Sequence, residues 1–180
     1  MNYRRGARSG RGHIASSMFW AMRRAGMEAH VAGYARSEET REIAREIGLC
    51  DSIHTSAQEA VKDADLVVLA VPVGAMAALA QEIAPALAPG ATVTDVGSVK
   101  RSVVEAVTPH LPEGVHFVPA HPLAGTEHSG PRAGFASLFQ NRYVLLTPVE
   151  GCDPEAADRL ERLRRGMGAD VARMGPARRA

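Results

Sequence analysis

From Glu28 onward the chain alternates short apolar runs with longer stretches in which apolar residues recur every three or four positions. The first pattern belongs to strands, the second to helices packed by one face. The clearest run is "DLVVLAVPV" (65–73), apolar almost throughout at strand length, as a strand covered on both faces requires. "EAHVAGYA" (28–35), a short segment at "SIHT" (52–55), "ATVTDVG" (91–97), "GVHFVPA" (114–120), "NRYVLLTP" (141–148) and "ADVARM" (169–174) complete the predicted strands. A polar helix is predicted from about Ser37 to Glu46, closed at Gly48, and another at "SAQEAVKDA" (56–64). "GAMAALAQEIAPALAPG" (74–90) stops at Pro89-Gly90, and "SVKRSVVEAVTPHL" (98–111) has Ser98 as its expected N-cap. "DPEAADRLERLRRGMG" (153–168) has Asp153 as N-cap and Pro154 in the first helical position. Ahead of all of these, "HIASSMFWAMRRAG" (13–26) reads as an amphipathic helix stopped by Gly26. This rhythm predicts an α/β fold, a doubly wound, mostly parallel sheet with helices on both faces.

The two ends break the pattern. Residues 1–9, "MNYRRGARS", read as an irregular basic leader where a first strand belongs, because Arg4, Arg5 and Arg8 must each reach water. Residues 175–180, "GPARRA", read as a truncated basic tail after the last strand. A single domain over 1–180 with its first strand lost or replaced is the expected organisation. Chain length allows one domain with a substantial core.

Composition narrows the function classes. A net charge of +1 argues against a nucleic-acid partner, and no apolar run reaches the roughly 18 residues of a membrane helix. Cys50 and Cys152 are far apart and no Cys/His cluster has metal-ligand spacing, so a reduced, cytoplasmic, metal-free protein is expected. The arginine- and serine-rich start, without an acidic residue before Glu28, mimics a transit peptide, but it also suits a basic leader and helix that run directly into a strand.

The stretch "SGRGHIASS" carries the first chemistry. Gly10-Arg-Gly12-His-Ile-Ala15 fits G-x-G-x-x-G/A, in which two glycines allow a tight turn against a pyrophosphate and a small third residue lets the helix pack on the sheet. Ser16 follows at the anion-binding helix start. Glycine pairs also mark ordinary turns; the βαβ context after this one favours a Rossmann-type dinucleotide site. At the end of the next strand, Ala35 stands where an NAD site usually has a carboxylate, with Arg36 and Ser37 beyond it. That favours NADP+ or dual use over NAD+, unless Arg36 is simply a solvated loop residue.

Two further stretches lie at strand ends, where ligands of open α/β sheets bind: "TDVGSVK" (94–100) and "HPLAGTEHSGP" (121–131). With "DLVVLAVPV", they give a sequence that resembles the prephenate/arogenate dehydrogenase family of tyrosine biosynthesis, from about Gly10 to about Met174. HPLAGTEHSG is the most specific part. The resemblance implies an NAD(P)-binding domain followed by an all-helical dimerisation domain, which is absent here along with the substrate-binding arginine it carries. It implies His121 as the catalytic base and Ser98 as the residue orienting it. It further implies Thr126 and Glu127 in the substrate pocket, and Val71, Pro72 and Gly97 beside the cofactor. Glu127 reads equally as a solvated carboxylate, and Lys100 reads as a plain helix-surface lysine. The expected reaction is NAD(P)-dependent oxidative decarboxylation of prephenate or arogenate by a homodimer when full length. The alternatives are a non-catalytic NAD(P)-binding fragment and a small dehydrogenase of the 3-hydroxyacid type. The leader and tail together suggest a fragment or a misread gene.

Overall fold

The computed structural model describes residues 3–9, 13–124 and 131–175. Its six-stranded sheet has the order β3-β2-β1-β4-β5-β6, with every pairing parallel. The strands are β1 (Arg5–Ser9), β2 (His30–Tyr34), β3 (Ser52–His54), β4 (Leu66–Leu69), β5 (Thr92–Asp95) and β6 (His116–Phe117). A second sheet joins β7 (Ala120–Pro122), β8 (Tyr143–Leu146) and β9 (Asp170–Arg173), antiparallel between β7 and β8 and parallel between β8 and β9. The helices are α1 (His13–Arg24), α2 (Glu38–Glu46), α3 (Ala57–Val61), α4 (Val73–Ile83), α5 (Lys100–Val107) and α6 (Pro154–Gly166). This is the Rossmann strand order, in which the progression of strands reverses between β1 and β4. Alternate residues of β4 feed two cores: Leu66 and Val68 pack with α1 and α6, Val67 and Leu69 with α3, α4 and α5.

The expected irregular leader is corrected. Arg5–Ser9 forms the central strand, laddered to β2 on one side and β4 on the other. Backbone bonding, rather than apolar side chains, makes it. The Asp65 carboxylate accepts the amides of Arg4 at 2.9 Å and Arg5 at 3.0 Å, and the Asp65 amide donates to the Arg5 carbonyl at 3.0 Å. Arg159 stacks on the Tyr3 ring at 4.3 Å and reaches Asp65 at 3.4 Å, so the strand's entry is clamped. Arg4 stays exposed and Arg5 is half-buried, its Nε without a hydrogen-bond partner among the described residues. At Gly6 the missing side chain leaves an apolar void of about 20 Å³, lined by Ala15, Met18, Phe19, Met22, Leu66 and Val68 among others.

Three other expectations shift. "GVHFVPA" is two strands, not one. The Val118 amide still donates to the Val93 carbonyl at 2.9 Å, but past Pro119 the Ala120 amide turns to an Asp95 carboxylate oxygen and the chain changes sheets. His121 therefore sits inside a strand, opposite Leu145, rather than in a loop. Ser98 is not an N-cap: α5 starts at Lys100, after Val99, with no side-chain cap. Finally, α4 and α5 end early, each passing into a short 3₁₀ turn that contains a proline, Pro85 or Pro109. Asp153 does cap α6, accepting the Glu155 amide at 3.0 Å. The tail beyond Gly175 lies outside the described residues.

Candidate functional site

Parallel strands all deliver their C-terminal ends to one edge, and ligands of such sheets bind there at the point where the strand order reverses, here between β1 and β4. Ala15, 1% exposed, lets α1 lie close against the sheet, and Ser16 is fully buried in the helix's first turns. Gly10 and Gly12 lie outside the described residues. Two buried polar atoms flank that turn without a partner among the described residues, Ser9 Oγ at the end of β1 and His13 Nε2 at the start of α1. Orphaned polar atoms at the mouth of a nucleotide turn are what a bound polar ligand would satisfy. The residues present thus fit a dinucleotide.

At the end of β2, Ala35 is buried and Arg36 exposed. Arg41 shapes this loop, donating to the carbonyls of Ala35 and Arg36, each at 2.7 Å, while paired with Glu38. The Ser37 hydroxyl is committed to Thr40, capping α2. Arg36 therefore stands exposed beside this loop with no ion pair among the described residues, while Ser37 is engaged with Thr40. After β4, Val71 is half-buried and Pro72 exposed at the head of α4.

The end of β5 holds the densest set of interactions. The Asp95 side chain is wholly buried, and one carboxylate oxygen accepts the Ala120 amide at 3.1 Å. The other accepts the Gly97 amide at 2.7 Å and the Lys100 ammonium. Lys100 also donates to the Ala120 carbonyl at 2.7 Å. Asp95 and Lys100 together fasten the residue before His121 to the end of β5. A side chain at Gly97 would lie 3.1 Å from the Asp95 carboxylate and 3.3 Å from Val103, so glycine lets this turn close.

Burial pushes the His121 imidazole below its ordinary value; the Lys100 charge pushes the same way, and Asp95 opposes it. Burial likewise lowers Lys100, against the pull of Asp95. Burial and the Lys100 charge thus favour the neutral imidazole, the form in which a base accepts a proton. Ser98 is exposed in the turn between β5 and α5, and no hydrogen bond joins it to His121. Thr126 and Glu127 lie outside the described residues. Asp95 and Lys100 escaped the sequence reading although both stand in the quoted "TDVGSVK" stretch. Among the described residues there is no cluster of three potential metal ligands, and no helix is long and apolar enough to cross a membrane.

Comparison with known proteins places this geometry. The family described as "Prephenate dehydrogenase, nucleotide-binding domain" matches residues 20–173. Cyclohexadienyl dehydrogenase of Zymomonas mobilis is 46% identical over 139 residues, covering 77% of this chain and 47% of that protein. Prephenate dehydrogenase of Bacillus subtilis is 32% identical over 169 residues, covering 93% of this chain and 46% of that one. The structure of prephenate dehydrogenase from A. aeolicus, in complex with hydroxyphenyl propionate and NAD+, superposes with a TM-score of 0.89 at 30% identity, covering 98% of this chain and 61% of that chain. Synechocystis arogenate dehydrogenase superposes with a TM-score of 0.87 at 29% identity, covering 96% and 60%. The chain spans about half the length of the curated relatives it matches.

Proposed function

Because the chain belongs to the prephenate dehydrogenase family, matching its nucleotide-binding domain over residues 20–173, we propose that it serves the NAD(P)-dependent oxidative decarboxylation of prephenate or arogenate in tyrosine biosynthesis. The observation that carries this reading is the placing of His121 directly after Ala120, which Asp95 and Lys100 bind to the end of β5. Ala15, Ser16 and the turn of Gly10 and Gly12 would hold the pyrophosphate. Val71, Pro72 and Gly97 would border the nicotinamide, whose oxidised ring supplies the acceptor for the hydride leaving the substrate's CH–OH carbon.

The protein's own part is proton transfer and orientation. His121 takes the hydroxyl proton as the carbon becomes a ketone. The quaternary carbon para to it then loses its carboxylate as CO2, and the released electron pair passes through the dienone to the ketone oxygen, which takes up a proton as the ring becomes aromatic. Ser98 would bond the same hydroxyl and hold it toward the imidazole; its exposure leaves it accessible to substrate. Thr126 and Glu127 would line the substrate side. NADP+ is favoured over NAD+, and the exposed Arg36 with no carboxylate at Ala35 supports that preference. The whole enzyme is read as a cytoplasmic homodimer.

The test is calorimetric titration with NAD+ and NADP+, followed by prephenate-dependent absorbance of the reduced nicotinamide. His121→Asn should bind nucleotide normally and lose turnover by about 10²–10⁴, the usual contribution of a general base. Undiminished turnover in that variant would remove His121 from the mechanism.

A further inference from the structure

After Ala124 the described chain resumes at Pro131, in contact with the helix that the nucleotide reading uses. A 3₁₀ turn, Pro131–Ala133, packs against α1 and α2, and Arg132 pairs with Glu46 at the surface. The next residue, Gly134, lies with its backbone directly on the second turn of the nucleotide helix. A Cβ there would stand 2.4 Å from the Ser16 Cβ and 2.9 Å from the Ser17 nitrogen, so no other residue fits without displacing the helix or the segment. One residue on, the Phe135 amide donates to Ser17 Oγ at 3.0 Å. Ser17 is fully buried. A serine inside a helix ordinarily bonds its own backbone or solvent; this one accepts from a segment 118 residues away. Beyond the contact, Leu138 and Phe139 enter the same core as Met18 and Phe19.

We propose that Ser17 is a positioning residue that couples nucleotide binding at the start of α1 to the seating of residues 134 and 135. The proposal rests on the nucleotide reading given above. An anion at the start of α1 acts on the helix's first amides, and Ser16 and Ser17 follow within the next turn. Gly134 meets them with no slack, and close-packed contacts pass on displacement rather than absorb it. The position of α1 that holds a nucleotide is therefore the one that seats residues 134 and 135. Coupling of this kind is reciprocal: nucleotide stabilises the seat by the factor that the seat strengthens nucleotide binding.

Amide hydrogen exchange at Phe135, followed by NMR on the whole chain, measures the seat directly. With saturating NAD+ or NADP+, exchange at Phe135 is expected to slow about tenfold, within the usual range of coupling factors. Ser17→Ala removes the acceptor while keeping the helix amide. It should abolish the nucleotide-linked slowing and weaken nucleotide binding by up to the same factor. Gly134→Ala should do both more severely, and Arg132→Ala, which alters only the surface pair, should do neither. A merely structural role for Ser17 would speed exchange equally with and without nucleotide, and would overturn the proposal. So would nucleotide binding that leaves Phe135 exchange unchanged, which would leave the nucleotide reading intact. If neither nucleotide bound, the nucleotide reading and the coupling would fall together.

Discussion

Lys100 shows how one side chain can serve both packing and chemistry. Its ammonium joins Asp95 and the Ala120 carbonyl, and its charge helps keep His121 unprotonated. Replacing it tests the sign of that effect. In Lys100→Met the depressing charge is gone and Asp95, which raises His121, is unopposed, so both changes move the imidazole pKa upward. The acidic limb of kcat/KM should therefore shift to higher pH. NMR titration of the His121 ring, assigned with His121→Asn, should show the same shift without relying on turnover. An unchanged titration would mean that burial alone sets the imidazole. None of this was legible locally. Lys100 looks like a surface lysine because the carbonyl it binds is 20 residues away, and the amide that Asp95 accepts is 25 away.

At the scale of elements, β1 is the instructive case. A strand between two others in a parallel sheet is usually apolar, and "RGARS" is not. Its stability comes from ladders on both edges and from the Asp65 clamp, neither of which leaves a hydrophobic signature. Its weak point is Gly6, which combines a void with the high backbone entropy of glycine in the unfolded chain. A Cβ at Gly6 meets nothing within 4 Å. Gly6→Ala is thus expected to stabilise the fold by about 1 kcal/mol, raising Tm by about 2–4 °C. A lower Tm in a thermal melt would show that the strand is strained in a way its open surroundings do not reveal. The helices were easier to read because their caps and stops are local: Asp153 at the start of α6, Gly26 after α1 with φ +69°. Ser98 misled for the same reason, since the turn after β5 is held by Asp95, a tertiary partner, rather than by a cap.

Across the whole molecule, apolar side chains fill most of the two cores, but the largest fully buried side chain among the described residues is charged. Arg164, on α6, is fully buried, and its guanidinium nitrogens have no hydrogen-bond partner among the described residues. It faces the Phe139 ring at 6.0 Å, and burial holds it down to about 10 despite the attraction of Asp95. Desolvating an unpaired cation costs more than a distant carboxylate returns. Arg164→Met, similar in reach and apolar, should therefore be neutral or stabilise the protein by about 1–4 kcal/mol. Urea unfolding at constant m-value reads this directly. A markedly destabilised variant would show that the attraction to Asp95 outweighs the desolvation.

The alternation of strands and helices after the first strand, the dinucleotide character of the fold and the family were readable in the sequence. Each depends on patterns a few residues long: apolar runs, caps, and the short stretches at strand ends. Tertiary structure alone decided that residues 5–9 pair as the central strand and that residues 114–120 divide between two sheets. It also placed Asp95 and Lys100 behind His121 and seated Gly134 on the nucleotide helix. These features depend on hydrogen bonds and close contacts between residues far apart in the chain, and side-chain periodicity carries no trace of such partners.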